Sequence, residues 1–194
     1  DSFGAHWDGP CGLAHHRLSV IDCSSAGNQP MSNETGKIWV AHNGEIYNFM
    51  DLKKDFSLDR NHCFRSRTDT EVILHLYEEI GPDFVKHLNG MYATALWDGN
   101  RERLYLARDP YGIKPLFYLQ TKDAFWFSSE IKALLEVPGY QRKPSLEALY
   151  HYLSFNYIPG SLTAFENIYE LPPGHILTLN LAGKEPRIER FFDL

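Results

Sequence analysis

The stretch Ile38-Trp39-Val40-Ala41-His42-Asn43-Gly44-Glu45-Ile46-Tyr47 joins an apolar run directly to an amide, a glycine and a carboxylate. The apolar run predicts a strand over residues 37–43. Asn-Gly is also the strongest short signal for a hairpin turn, so the pattern alone favours a strand that ends in a turn. Such a strand end can also present a side-chain amide and a backbone N–H side by side, as an oxyanion hole requires. The neighbouring motifs decide between these interpretations.

Outward from this strand, hydrophobic periodicity predicts blocks of short strands and helices. Residues 12–22 predict a strand that runs into a loop, and residues 48–56 predict a short amphipathic helix. Asp69 is the predicted N-cap of a longer helix that runs to Ile80 and stops at Gly81. Further strands are predicted at 91–98, 104–108, 116–120, 124–128 and 175–179, and further helices at 83–88, 129–136 and 145–153. Because consecutive strands lie too close for crossover helices, the predicted fold class is α+β with antiparallel sheets rather than a doubly wound parallel sheet.

Composition excludes several classes of protein. The 194 residues carry a net charge of −6 and no cluster of Lys and Arg, which argues against a nucleic-acid surface. The apolar runs are far shorter than a membrane span, so no transmembrane helix is predicted. The three cysteines, Cys11, Cys23 and Cys63, form no CxxC pair, which predicts reduced thiols in a cytoplasmic protein rather than disulfides or a zinc site. No metal site is predicted at His15-His16 either, because adjacent residues of a strand point to opposite faces.

Three polar groups at predicted element ends complement one class of small molecule. They are Arg17 in RLSVID, Asn43-Gly44 in the stretch quoted above, and Asp69 in SRTDTEV. A free amino acid needs an arginine for its α-carboxylate and an acid for its α-ammonium. If its side chain is an amide, hydrolysis also needs two donors for the tetrahedral oxyanion. Taken singly, each group has an ordinary structural explanation as a solvated charge, a turn or a helix cap.

The order of the motifs along the chain carries a family resemblance. The motifs are residues 12–22 (GLAHHRLSVID), 29–34 (QPMSNE), 43–48 (NGEIYN), 66–71 (SRTDTE), 88–91 (LNGM), 107–109 with 112–116 (ARD and GIKPL), 129–134 (SEIKAL) and 171–174 (LPPG). Together they closely resemble the class II glutamine amidotransferase domain of glutamine-hydrolysing asparagine synthetases, over essentially the whole chain. Several short motifs in one fixed order are a strong signal, where any single one is weak.

The resemblance implies a fold, an activity and a set of site residues. The fold is the α+β N-terminal-nucleophile hydrolase fold, a four-layer αββα sandwich. Hydrolysis of glutamine would release ammonia, with the Asn43 side chain and the Gly44 N–H as the oxyanion hole. Arg17 would pair with the α-carboxylate of glutamine, and Asp69, helped by Glu45, would hold its α-ammonium. The backbone of four further residues would line the pocket: Leu18, Ser19, Val20 and Ile21.

The resemblance also divides the chain and implies partners besides L-glutamine. Residues 1–157 would be the amidotransferase domain, truncated at its N-terminus, and residues 158–194 its end and the junction toward a synthetase domain. That other domain would use ATP and Mg²⁺ to amidate aspartate with the ammonia, so no cofactor is expected within this chain. The family's nucleophile is an N-terminal cysteine; residue 1 is Asp, so the 194-residue chain is predicted to be inactive by itself. Missing leading strands would leave a sheet edge open to a second copy, which predicts a homodimer.

Two alternatives stay open at the level of the sequence. A degenerate domain without its nucleophile could act as a non-catalytic binding module. Such a domain has no reason to keep Arg17, Asn43, Gly44 and Asp69 together, which favours the enzyme interpretation. A sister amidotransferase could instead deliver ammonia to another acceptor, such as a sugar or a peptide, because the acceptor is chosen by the other domain.

Overall fold

Eleven strands and five α-helices form the described part of the chain. The computed structural model describes residues 2–18, 21–181, 183 and 185–193. The strands are β1 (Ser2–Asp8), β2 (Cys11–Arg17), β3 (Met31–Ser32), β4 (Ile38–Ile46), β5 (Gly90–Asp98), β6 (Arg103–Arg108), β7 (Phe117–Gln120), β8 (Phe125–Ser128), β9 (Ile168–Glu170), β10 (His175–Asn180) and β11 (Pro186–Arg190). The helices are α1 (Phe49–Asp55), α2 (Leu58–Asn61), α3 (Asp69–Ile80), α4 (Ile131–Leu134) and α5 (Leu146–Phe155), with 3-10 turns at Ser25–Gly27 and Gly81–His87.

A six-stranded antiparallel sheet, in the order β11-β10-β6-β5-β4-β3, forms the centre of the molecule. The strands β1 and β2 form a separate hairpin, and β8, β7 and β9 form a second, three-stranded sheet. All strand pairings in the described ranges are antiparallel, which confirms the predicted α+β class. Three strands lie beyond residue 157 and belong to these same sheets: β9 pairs with β7, β10 pairs with β6, and β11 pairs with β10. The boundary predicted at residues 157 and 158 stays a prediction.

Three apolar clusters separate four layers. The first packs α1, α2 and α3 against one face of the six-stranded sheet, around Val40, Ile73 and Leu96. The second lies between that sheet and the other strands, around Leu13, Trp97 and Leu177. The third packs Leu119 of β7 against α4. Because residues of a strand alternate between faces, β5 supplies both of the larger clusters, which buries the central sheet on both sides.

Strand β4 differs from the sequence-based prediction in its length. It continues through the Asn-Gly pair to Ile46, and Asn43, Gly44 and Glu45 lie opposite Ala93, Tyr92 and Met91 of β5. The hairpin-turn interpretation of Asn43-Gly44 is therefore wrong. Its physical reason is tertiary pairing, since nine residues of β4 find partners on β5 and hold the glycine in an extended strand.

The longest helix, α3, begins one residue earlier than the sequence suggested. Thr68 is its N-cap, because its hydroxyl accepts the Glu71 backbone N–H, and Asp69 is the first helical residue. The predicted N-cap role of Asp69 is therefore wrong, and its carboxylate is left to bind other groups. Gly81 ends the helix as predicted, with φ 65°, and its N–H donates to the Tyr77 carbonyl.

Candidate functional site

Gly44 lies where the backbone of β5 leaves no room for a side chain on β4. Its φ of +152° favours glycine, and a Cβ at this position would lie 2.0 Å from the Met91 carbonyl oxygen. The neighbouring Asn43 side chain lies on the face toward the second sheet, where its Nδ2 donates to Ser129 Oγ at 3.3 Å. Asn43 borders a cavity of about 670 Å³ between the central sheet and the segment around β8 and α4. The hydrogen bond to Ser129 holds the Asn43 amide at this cavity.

Asp69 is the first residue of α3, and its carboxylate is buried next to β4. Its Oδ2 accepts the Ile46 backbone N–H at 2.8 Å, and its Oδ1 accepts the Thr70 N–H at 3.0 Å. The Nε2 atom of His42 lies 3.9 Å from Oδ2. Burial raises the pKa of Asp69 against the lowering effect of these backbone donors and, less strongly, of Arg17. Among the described residues, the carboxylate thus accepts hydrogen bonds from backbone N–H groups only.

His42 does not supply a positive charge beside the Asp69 carboxylate. Burial lowers the pKa of His42 to about 3, so the imidazole is neutral at pH 7. Its Nδ1 bonds with Thr94 Oγ1 at 2.9 Å, and its backbone N–H donates to Gln29 Oε1 at 2.6 Å. These bonds fix the histidine in the core between β4 and α3.

Arg17, at the end of β2, holds the loop that follows it. Its guanidinium is buried and donates to the carbonyl oxygens of Ile21 at 2.7 Å, Asp22 at 2.6 Å and Ser24 at 3.2 Å. A Cβ on Gly27 would lie 2.4 Å from Nη2 of Arg17 and 2.8 Å from the methyl of Thr68. Only a glycine therefore lets the guanidinium and the start of α3 meet here.

The remaining predicted residues occupy varied positions. Leu18 is 77% exposed and Ile21 is half-buried, whereas Ser19 and Val20 lie outside the described residues. Glu45 is half-buried on β4, opposite Met91. The structure therefore brings Arg17 and Asp69 close together at the start of α3, and it places Asn43 and Gly44 on the adjoining strand β4. The contacts of these residues with a substrate stay predictions.

Sequence comparison shows to which family the chain belongs. Residues 1–192 match the glutamine amidotransferase domain family. The chain belongs to that family. It is 40% identical over 197 residues to glutamine-hydrolysing asparagine synthetase 2 of Bacillus subtilis, covering 97% of this chain and 25% of that protein. It is 45% identical over 135 residues to glutamine-hydrolysing asparagine synthetase 2 of Oryza sativa subsp. japonica, covering 69% of this chain and 22% of that protein.

Structural comparison supports the fold of the amidotransferase domain. The glutamine phosphoribosylpyrophosphate amidotransferase of B. subtilis, solved with ADP and GMP, superposes with a TM-score of 0.62. It is 24% identical and covers 94% of this chain and 35% of that chain. The N-terminal-nucleophile hydrolase fold expected from the resemblance is thereby confirmed. The chain spans about a quarter of the length of the curated relatives named above.

The three cysteines of this amidotransferase domain differ in their burial. Cys11 is half-buried at the start of β2, where burial and the nearby Asp8 raise the pKa of its thiol to about 12. Cys23 and Cys63 are exposed, and no disulfide joins them. His15 is half-buried and contacts the His42 carbonyl, whereas His16 is exposed, which confirms their predicted opposite orientation.

Two clusters of polar residues in the domain were not among the site residues predicted from the sequence. Arg108 and Asp109, part of the resemblance, form a buried network after β6 that joins distant loops. Glu34, His62, His75 and Glu78 gather at the outer side of α3. The i, i+3 spacing of His75 and Glu78 on one predicted helix was the available signal for the second group. Their partners are 13 residues or more away in sequence, beyond what local spacing can show.

Proposed function

We propose that this domain binds L-glutamine with Asp69 facing the α-ammonium group. The observation that carries the proposal is the environment of Asp69: the residue is only 5% exposed, yet its carboxylate accepts only backbone N–H groups among the described residues. A buried carboxylate without a cation in contact is unfavourable, because desolvation penalises its charge. A substrate ammonium supplies the missing charge. Arg17, Ile21 and Glu45 then border the same ligand, with Arg17 nearest the α-carboxylate.

The amide end of glutamine would lie at Asn43 and Gly44. The Asn43 Nδ2 bond to Ser129 is long at 3.3 Å, so a substrate carbonyl can replace it with little loss. In the reaction a thiol adds to the amide carbon, the oxygen becomes an oxyanion, ammonia leaves, and water releases glutamate from the thioester. We assign the thiol to none of Cys11, Cys23 and Cys63, because the nucleophile that the family resemblance implies is an N-terminal cysteine.

The proposal extends to the whole protein of which such a domain is a part. Two relatives are named glutamine-hydrolysing asparagine synthetases, which supports transfer of the ammonia to an ATP- and Mg²⁺-dependent synthetase domain that makes asparagine from aspartate. No helix in the described ranges is both long and apolar enough to cross a membrane. A cytoplasmic location and a homodimer remain predictions.

A glutaminase assay on the whole protein tests the proposal. Asn43→Ala removes one oxyanion donor, and we expect kcat to fall by about 10²–10³-fold with little change in KM. An unchanged kcat would refute the oxyanion assignment. Glutamine binding without any glutaminase turnover would favour the non-catalytic module, and ammonia release without aspartate-dependent use of ATP would favour another acceptor.

A further inference from the structure

A second polar cluster lies on α3, about 9 Å along the helix axis from Asp69. Its residues come from three elements: Glu34 from the turn after β3, His62 from the end of α2, and His75 and Glu78 from α3 itself. One ligand atom of each residue lies within 4.8 Å of the other three. His75 is buried, His62 and Glu78 are half-buried, and Glu34 is exposed.

Three of the distances within the cluster are close to those around a tetrahedral ion, and all four ligand atoms lie within 4.8 Å of one another. His75 Nδ1 lies 3.0 Å from Glu78 Oε2 and 3.9 Å from Glu34 Oε2, and His62 Nδ1 lies 3.5 Å from Glu78 Oε2. Ligand atoms about 2.1 Å from a tetrahedral Zn²⁺ are about 3.4 Å apart. The observed separations bracket this value.

Each histidine also has a carboxylate beside its other ring nitrogen. His62 Nε2 lies 2.9 Å from Glu79 Oε1, and His75 Nε2 lies 3.9 Å from Glu71 Oε1. The His75 Nε2 atom is buried and has no hydrogen-bond partner in the described part of the chain. Metal-binding histidines almost always direct this second nitrogen toward a carboxylate, carbonyl or water, which fixes the tautomer and the ring.

The two acidic residues are held in a matching way. Asn33 Nδ2 donates to Glu78 Oε1 at 2.6 Å, and the Cys63 backbone N–H donates to Glu34 Oε1 at 2.7 Å. In both carboxylates one oxygen is thus anchored by the protein, and the other, Oε2, faces the histidines. A cluster with this outer set of contacts is arranged as a ligand set rather than as a loose surface ion pair.

We propose that Glu34, His62, His75 and Glu78 bind one Zn²⁺ ion. Two imidazoles and two carboxylates suit a borderline divalent ion, whereas Mg²⁺ and Ca²⁺ prefer oxygen ligands throughout. The two carboxylates neutralise the charge of the ion. The rings of His62 and His75 stack with centroids 4.4 Å apart and planes at 24°, so the half-buried His62 ring tilts when both nitrogens turn to one ion. With four protein ligands the site is structural and joins the turn after β3 to α2 and α3.

Calorimetric titration with ZnCl₂ tests the proposal. The parent chain carries Cys23→Ser and Cys63→Ser, which remove the exposed thiols as alternative ligands. We expect one ion per chain, not displaced by excess MgCl₂. Glu34→Gln and His62→Ala each weaken binding by at least about tenfold, the scale on which even outer contacts of a metal site act. His87→Ala, an exposed histidine outside the cluster, leaves the affinity unchanged.

Thermal unfolding gives a second readout that does not depend on catalysis. ZnCl₂ raises the midpoint of the parent and of His87→Ala, the chelator EDTA reverses the shift, and His62→Ala shows none. Both test residues lie at the surface or half-buried, and circular dichroism checks that the variants fold. Absence of saturable Zn²⁺ binding, or binding kept within about threefold in either variant, would overturn the proposal.

Discussion

Two regions of the molecule each contain a buried arginine and a buried aspartate, and they use the aspartate differently. Arg17 and Asp69 belong to the proposed glutamine pocket, and Arg108 and Asp109 to the loop after β6. Both arginines hold loops by donating to backbone carbonyls; those of Arg108 belong to Gly112, Lys114 and Leu171. Arg108 also pairs with Glu170 at 2.7 Å. The two arginines thus stabilise loops in the same way.

The two aspartates differ in how fully they are satisfied. Asp109 is fully buried and accepts the backbone N–H groups of Tyr92, Tyr111, Ile113 and Lys114. In the described residues, Asp69 accepts N–H groups from Ile46 and Thr70, and burial raises its pKa. A saturated carboxylate stabilises the fold, whereas one with spare acceptor capacity and unmatched charge is suited to a ligand.

Truncation of the two arginines should give the largest effect. We expect Arg108→Ala to lower the free energy of unfolding by about 3–5 kcal/mol, because it leaves Glu170 and several buried carbonyls without a partner. Arg17→Ala should cost about 2 kcal/mol, since its carbonyl partners belong to a surface loop. Urea denaturation measures both, with the exposed Arg187→Ala as control. Equal losses of unfolding free energy for Arg17→Ala and Arg108→Ala would show that the two arginines contribute equally to stability.

Replacement of each aspartate by asparagine should also give different losses of unfolding free energy, but the effects should be smaller than those of the arginine variants. Asp109→Asn loses charge-assisted bonds to several N–H groups, and we expect a loss of about 3 kcal/mol in unfolding free energy. Asp69→Asn should change stability by less than about 1 kcal/mol, because the lost bonds are offset by relief of desolvation. Chemical denaturation at pH 7 checks both. A loss at Asp69 as large as that at Asp109 would show that Asp69 is structural.

The pH dependence of stability should give the smallest effect. The folded-state pKa of Asp69 is raised, so the folded state binds more protons than the unfolded state in the window above pH about 3.9. As pH falls through this window, the wild type gains stability relative to Asp69→Asn, by up to about 1.4 kcal/mol per pH unit. Paired urea titrations between pH 6 and 4 measure the difference. A stability difference between wild type and Asp69→Asn that does not change with pH, or that changes in the opposite direction, would contradict the claim that the Asp69 charge is unmatched.

Local patterns predicted most of the fold because its elements are locally determined. The periodicity of α3 and the glycine at its end placed that helix to within a residue, and the close spacing of strands gave the antiparallel class. The extent of β4 was missed, because pairing with β5 overrides the turn preference of Asn43-Gly44. The cap was missed because Thr68 and Asp69 are both good caps, and only the contact of Asp69 with Ile46 decides between them.

The sequence predicted candidate residues for the site, which stay predictions, but it did not predict how they are arranged. The motif order identified Arg17, Asn43, Gly44 and Asp69, yet no local pattern shows that Arg17 holds its own loop. Local patterns do not show the role of Arg108 either, because its hydrogen-bond partner Leu171 is 63 residues away in the sequence. The cluster at His62 and His75 depends on how α2 packs on α3, which the sequence does not show.

The claim that Asp69 is the carboxylate left open for an ammonium group has a direct test. Calorimetry compares L-glutamine with N-acetyl-L-glutamine, which lacks the charged α-amine, on the wild type and on Asp69→Asn. We expect the wild type to bind glutamine at least about tenfold more tightly than the acetylated analogue, the scale of a charged hydrogen bond. Asp69→Asn should lose this preference. The same preference in both proteins would show that Asp69 does not bind the α-ammonium group.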